Sequence, residues 1–320
     1  MILEFSSKVT IMIPTYNQAS FIEKSVNSAL AQSYPNLEIL VGDDASIDTT
    51  GSIIKRINDP RIKYIKNSKN LGRVNNYKNL LYEHASGDYI LNLDGDDYYT
   101  DKNFVSDAIS IVKKNREVIM VVARATTKFG NNEEISLLPQ KKILSGIEIL
   151  KKIPRKEFFF MHLAVLYERK LAIKINFYSS QALSSDWHSI YRLSMHGKVA
   201  FLDRNVGVWR IHNSNFSNSK EPDIYLENLN IWPEIYNYSL LFGMNKYLAY
   251  FLCQNTIAFL SSVSCIKVST LGNLVLIRFI FKIFKKNLLT TIFLCFLPQY
   301  NLKILLCLFG YYRYRLRKKN

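Results

Sequence analysis

Residues Asp94-Gly95-Asp96-Asp97 follow the apolar run Tyr89-Ile90-Leu91-Asn92-Leu93, so three carboxylates stand within four positions. Like charges this close raise one another's free energy unless a cation offsets them. At the carboxyl end of a buried strand, where open α/β sheets bind ligands, they are hard oxygen ligands for Mg²⁺ or Mn²⁺ with coordination positions left open. A cation held there would face a phosphate. An acidic turn, with Gly95 as the bend and the carboxylates simply solvated, uses the same residues. The rest of the chain has to decide between the two.

The elements upstream repeat one plan. Residues 9–13 are apolar and β-branched and stop at Pro14-Thr15-Tyr16-Asn17, a strand feeding a loop. Ser20 and Glu23 have capping-box spacing ahead of Phe21, Ile22, Val26, Ala29 and Leu30 at helical intervals. Residues 37–41 read as a second strand ending in Gly42-Asp43-Asp44-Ala45-Ser46-Ile47-Asp48, followed by a helix with Ile53, Ile54 and Ile57 as its stripe. A third strand over 62–65, a turn at Asn70-Leu71-Gly72 and a helix over 74–84 lead into the acidic stretch. Alternation of this kind predicts an α/β fold with a mostly parallel, right-handed βαβ sheet. The polar loops at Thr15, Asp44 and Asp96 then converge on one sheet edge.

Further on, residues 104–112 read as a helix, 118–122 as a strand and the very apolar 158–166 as a buried strand. Ser185-Asp186-Trp187-His188 opens a helix, and 199–202 and 207–211 read as two strands leading to His212. From about Tyr236 onward, long apolar helical stretches take over.

At 320 residues, 48% hydrophobic and 13% aromatic, the chain has ample material for a core. Its net charge of +16 is uneven: no Asp or Glu follows Glu234, and twelve Lys and Arg stand beyond it. Basic charge interleaved with Phe, Leu, Ile and Tyr suits an anionic membrane surface and not nucleic acid, although a basic face on an ordinary helical domain has the same composition. The apolar runs near 274–297 are broken by Arg278, Lys282, Lys285, Lys286 and Pro298. They fall short of the roughly 20 apolar residues of a bilayer span, so interfacial helices are expected. Cys253, Cys265, Cys295 and Cys307 lack CxxC spacing and read as apolar residues of a reducing compartment. Residues 1–8 do not read as a signal peptide, and the expected location is cytoplasmic, peripheral on the cytosolic face of the membrane.

Seven segments in register carry a family resemblance: Ile13-Pro14-Thr15-Tyr16-Asn17, Glu38 to Asp48, Asn70-Leu71-Gly72, Gly87-Asp88-Tyr89-Ile90, Asp94-Gly95-Asp96-Asp97, Ser185-Asp186-Trp187 and Trp209-Arg210-Ile211-His212. Over about residues 8–217 the chain resembles the family 2 glycosyltransferases, whose catalytic domain has the GT-A fold and binds nucleotide-diphospho-sugars. The resemblance implies a UDP- or TDP-sugar donor and a glycan or lipid-linked glycan acceptor of a bacterial cell surface. It assigns Pro14, Thr15, Tyr16 and Asp44 to the nucleoside, Asp94 to the ribose side, and Asp96 to the cation, with Asp97 beside it. Asp186 would be the base of an inverting displacement, Arg210 a diphosphate clamp and His212 a further metal ligand. The helix amino end would lower the Asp186 pKa, compatible with an ionised base at neutral pH. Simpler readings stand beside these: Asp44 as a cap or turn residue, Asp186 as a plain N-cap, His212 as a solvated loop residue. His162, in its apolar run, is a core or acceptor-pocket residue.

One departure is visible. Many relatives carry Ala-Arg-Asn in the helix after Asn-x-Gly, whereas this chain has Asn76-Tyr77-Lys78-Asn79. Two rival functions fare less well. A sugar nucleotidyltransferase needs a Gly-rich, basic loop after the first strand, which Pro14-Thr15-Tyr16-Asn17 is not. A basic membrane-binding module has no use for Asp at successive strand ends. The expected organisation is a donor-binding half over 1–125, an acceptor-binding half over 126–220 and a helical, membrane-associating region over 221–320.

Overall fold

The computed structural model describes residues 7–155, 158–215, 219 and 221–286. The chain forms two units, one of residues 1–149, 156–181 and 185–212, the other of 150–155, 182–184 and 213–320.

The first unit is built on one sheet. Its parallel half comprises β1 (Val9–Thr15), β2 (Leu37–Asp43), β3 (Ile62–Lys66) and β4 (Tyr89–Asn92) in the order β3-β2-β1-β4. Helices α1 (Ile22–Leu30), α2 (Thr50–Arg56) and α3 (Arg73–Asn79) connect them. All seven residues of β1 are buried, which is why it reads as a continuous apolar run and not an alternating one. The other half adds β5 (Tyr98–Tyr99), β6 (Val118–Phe129), β7 (Asn132–Ile135), β8 (Ile143–Ser145), β9 (Val165–Glu168) and β10 (Lys198–Ile211), with β9 antiparallel between β4 and β6. Helix α4 (Phe104–Lys114) precedes β6, α5 (Gly146–Lys152) follows β8, and α6 (Arg169–Lys174) and α7 (Ser185–Ser194) lie between β9 and β10. The expected boundary at 125/126 falls inside β6, which belongs to the sheet both halves share.

Three local expectations are corrected. The Ser20–Glu23 box does not form: α1 starts at Ile22, and the Gln18 carbonyl accepts from the Phe21 and Ile22 N–H groups. A box of that kind forms instead at Ser145 and Glu148, whose Oε2 accepts from Ser145 N at 2.8 Å. Residues 158–166 are not one strand. Only four residues of β9 fit between β4 and β6, while Phe158 and Phe160 turn inward and pack edge-on. The two strands expected over 199–211 are the single β10, with register shifts between Leu202 and Asn205 and between Asn205 and Val208. Such irregularities erase the alternation a sequence reading follows.

The second unit contains α8 (Pro222–Asn228), α9 (Ile231–Leu240), α10 (Lys246–Ser269) and α11 (Asn273–Lys286). Asn245 caps α10, its side chain accepting from Tyr247 N and Leu248 N. Buried Trp232 and Tyr236 anchor α9, and the Tyr236 hydroxyl bonds to Leu150 O and Thr256 Oγ1. By length and composition α10 is apolar enough to cross a membrane, and two thirds of its most apolar stretch is buried in the protein. The expectation of interfacial helices rests on the broken runs at 274–297, beyond this helix, in which Gln254, Asn255 and several serines interrupt the apolar residues without introducing charge. Cys253 and Cys265 are buried thiols. Cys295, Cys307 and the remainder of the expected interfacial tail, 287–320, lie outside the described residues.

Candidate active site

Parallel pairing places the functional loops side by side. Pro14 and Thr15 face Gly42 and Asp43 at the ends of β1 and β2, and Met12 faces Asn92. The ladder continues past β4, with Leu93 N donating to Met12 O and Gly95 N to Pro14 O at 3.1 Å. A Cβ on Gly95 would run into Gln18 Oε1 and stand 2.8 Å from Thr15 Oγ1, so the acidic loop can lie this close to the β1 loop only with glycine there.

At the β2 end the carboxylates are taken up internally. Asp43 accepts from Ser46 N at 2.8 Å and from the Tyr64 hydroxyl at 2.6 Å. Asp44, buried, accepts from Asn67 Nδ2 and Leu71 N through Oδ1, both at 2.8 Å, and from Gly72 N through Oδ2 at 2.9 Å. It holds the Asn70-Leu71-Gly72 turn, while Asp48, two residues before α2, accepts from Thr50 N. Three of the roughly four acceptor positions of the Asp44 carboxylate are thus filled, with about one left for a base edge. Tyr16 stands half-exposed beside this loop, which is tied to β2's by Asn17 N to Ser46 Oγ and Ile47 N to Asn17 Oδ1.

At the β4 end the balance is different. One carboxylate oxygen from each of Asp94, Asp96 and Asp97 lies within 4.8 Å of the others. Burial, reinforced by the charges of Asp96 and Asp94, pushes the Asp97 carboxyl well above the usual carboxylate range. Burial likewise raises Asp94. The pairing of β5 with β10, Gly207 opposite Tyr99, carries the end of β10 to this loop. There Arg210 N donates to Asp97 Oδ1 at 2.9 Å, Arg210 Nε donates to Asp96 O, and the guanidinium lies over Phe21 and Tyr98 at 4.7 and 5.1 Å. His212 Nε2 is 3.0 Å from Asp96 Oδ2, its ring stacked on Phe21. An oxygen-rich set with an imidazole at its edge, in surroundings that penalise bare negative charge, fits a hard divalent cation.

Asp186 sits in the first turn of α7. The helix amino end was expected to lower its pKa, and the N–H groups of Asp186 and Trp187 do act that way. Burial outweighs them and the nearby Arg73, so the carboxyl lies above its ordinary value. Trp187 is fixed beside it by Nε1 to Phe160 O at 2.9 Å and by stacking on Phe159. His162 bonds the Tyr178 hydroxyl at 3.1 Å, and burial depresses it to about 4, so it is neutral at pH 7.

Four residues here escaped the sequence reading: Phe21, Arg73, Tyr77 and Tyr98. The available signal was the departure after Asn70-Leu71-Gly72. Lys78, the cation of the Asn76-Tyr77-Lys78-Asn79 segment, lies over the Tyr82 ring at 5.8 Å, while the Tyr77 hydroxyl donates to Asp94 Oδ1. Arg73 lies over the Tyr77 ring and offsets the burial of both Asp94 and Asp186.

Comparison with known proteins bears on the fold and the family. A curated relative, the GalNAc(5)-diNAcBac-PP-undecaprenol beta-1,3-glucosyltransferase of Campylobacter jejuni, is 30% identical over 218 residues, 64% of this chain and 65% of the relative. The chain spans between about a third and just under two thirds of the curated relatives it matches first. Among solved structures, S. aureus TarS 1-349 in complex with UDP-GlcNAc superimposes with a TM-score of 0.63 at 16% identity, covering 84% of this chain and 82% of that one. The mannosyltransferase PcManGT from Pyrobaculum calidifontis, in complex with GDP-Man and Mn²⁺, gives 0.58 at 15% identity, covering 96% and 87%. These two share the fold, which is GT-A. Residues 10–175, more than half of the sequence, match the family described as Glycosyl transferase family 2; the chain belongs to that family.

Proposed function

We propose that this enzyme transfers a sugar, with inversion, from a UDP- or TDP-linked donor to a lipid-linked glycan at the cytosolic face of a bacterial membrane. The observation that carries the reading is the cluster of half-buried Asp94 with buried Asp96 and Asp97 at the end of β4, with Arg210 and His212 brought to it by β10. Asp96, Asp97 and His212 would hold Mg²⁺ or Mn²⁺, which when bound stabilises the leaving diphosphate as a Lewis acid. Pro14, Thr15, Tyr16 and the remaining acceptor position of Asp44 bind the nucleoside. Asp94 faces the ribose, and Arg210 adds a fixed positive charge against the diphosphate. Asp186 takes the proton of the acceptor hydroxyl as that oxygen attacks the anomeric carbon. A carboxyl held above the usual range is the better base for it.

The acceptor class is supported by the name of the Campylobacter jejuni relative, an undecaprenol-linked glycan beta-1,3-glucosyltransferase. Membrane contact is supported by α11, where exposed Leu274, Ile277 and Phe281 share the outer surface with Arg278, Lys282 and Lys285. Such a face suits an anionic interface, each basic residue near the surface contributing about 1 kcal/mol. High salt or alkaline carbonate should release the enzyme from vesicles; retention under both would contradict peripheral binding.

Asp186→Asn tests the chemistry. It should keep donor binding and lose turnover by roughly 10²- to 10⁴-fold. The wild-type rate should fall as pH drops through the raised Asp186 pKa, because the base must be ionised. Wild-type turnover by the variant, or a product that retains the donor's anomeric configuration, would overturn the assignment.

A further inference from the structure

Tyr77 is almost fully buried in α3, and a buried phenol has to find a hydrogen-bond partner. The partner here is Asp94 Oδ1. The ring is held in place: it stacks on Tyr178 at 5.1 Å and 16°, meets the edge of His162 at 5.4 Å, and has the Arg73 guanidinium over it at 5.8 Å. Tyr178 is fixed in turn. Its hydroxyl donates to Asn92 Oδ1 at 3.0 Å, two residues before Asp94, and its N–H to Ser189 Oγ at 2.8 Å, in the helix that opens with Asp186. The stack therefore links the strand end that carries the acidic loop to the helix that carries Asp186.

From this geometry we infer that the Tyr77 hydroxyl is a positioning group for Asp94. It fixes one carboxylate oxygen with a neutral donor and so leaves the cluster's negative charge undiminished for a cation. This rests on the reading that Asp94 belongs to the donor and cation site. A guanidinium bonded to Asp94 would cancel one of the three charges, whereas a phenol, a neutral donor, cancels none.

The test is Mn²⁺ binding to the full chain in the presence of UDP, followed by the loss of the free-ion electron-spin signal, with thermal melting in chelator alongside. Tyr77→Phe removes only the hydroxyl. The expected result is binding weakened by roughly tenfold or more, the scale of a lost hydrogen bond to a charged group, with a cooperative melt retained. Tyr77→p-aminophenylalanine, which keeps the ring and restores a donor, should recover most of the affinity. Unchanged binding in the Phe variant overturns the inference. So does failure of the amino variant to recover binding, including the case where the Phe variant does not fold. Absence of Mn²⁺ binding by the wild type overturns the inference together with the site reading beneath it, and is seen before any variant is made.

Discussion

Two acidic strand ends stand on either side of β1 in the parallel half of this sheet, and they are chemically opposite. At the end of β2, Asp43 and Asp44 together accept five hydrogen bonds from named donors of their own unit. At the end of β4, Asp97 is buried among like charges and pushed well above the carboxylate range, and burial raises the half-buried Asp94 as well. Both are Asp-rich turns after an apolar run. Only the account of where each oxygen's hydrogen bonds go separates a carboxylate that folds the chain from one that waits for a cation.

That contrast can be broken by substitution. The largest effect should come from Asp96→Ala, which is expected to lower transfer by on the order of 10³ while leaving the melting temperature in chelator close to wild type. Retained turnover in excess chelator would end the cation reading. Next in size is a crossed stability comparison. Asp44→Ala removes the acceptor for Asn67, Leu71 and Gly72 and should cost about 3 kcal/mol. Asp97→Asn keeps an acceptor for Arg210 N, removes a charge the fold disfavours, and should leave the apo-protein as stable or more so. If denaturant melts in chelator ranked the two the other way, the distinction between the strand ends would fail.

A small effect calibrates the method. Glu148 is held down to about 2, first by Lys141 and then by Ser145 N. Its folded pKa lies below the ordinary 4.5, so its contribution is present above pH 4.5 and is lost as pH falls toward about 2. Glu148→Gln should lower the melting temperature slightly at pH 7 and not at pH 2. Equal differences at both would mean that the ion pair and cap contribute nothing through charge.

The contrast also explains what the sequence reveals. Strand-helix alternation and the polar residues after each strand are local patterns, so the parallel half-sheet and the convergence of the Thr15, Asp44 and Asp96 loops can be read directly. Asp44's donors come from residues 67, 71 and 72, and the Tyr77 bond to Asp94 spans seventeen positions. No spacing rule reports them. The antiparallel insertion of β9 is hidden for a similar reason, since the run 158–166 is apolar for packing by Phe158 and Phe160 and pairs through only a few residues. Asp186 was legible as a helix opener. That burial outweighs the helix end there depends on surroundings the sequence does not display.

The central claim is that the Asp94, Asp96 and Asp97 cluster, and not the Asp43 and Asp44 pair, holds the cation that accompanies the donor. Isothermal titration of Mn²⁺ into protein saturated with UDP, run on wild type, Asp96→Ala and Asp43→Asn, tests it directly. The account predicts one site per chain in the wild type and in Asp43→Asn, and none in Asp96→Ala. Undiminished binding in Asp96→Ala, or its loss in Asp43→Asn with the fold intact, would contradict it.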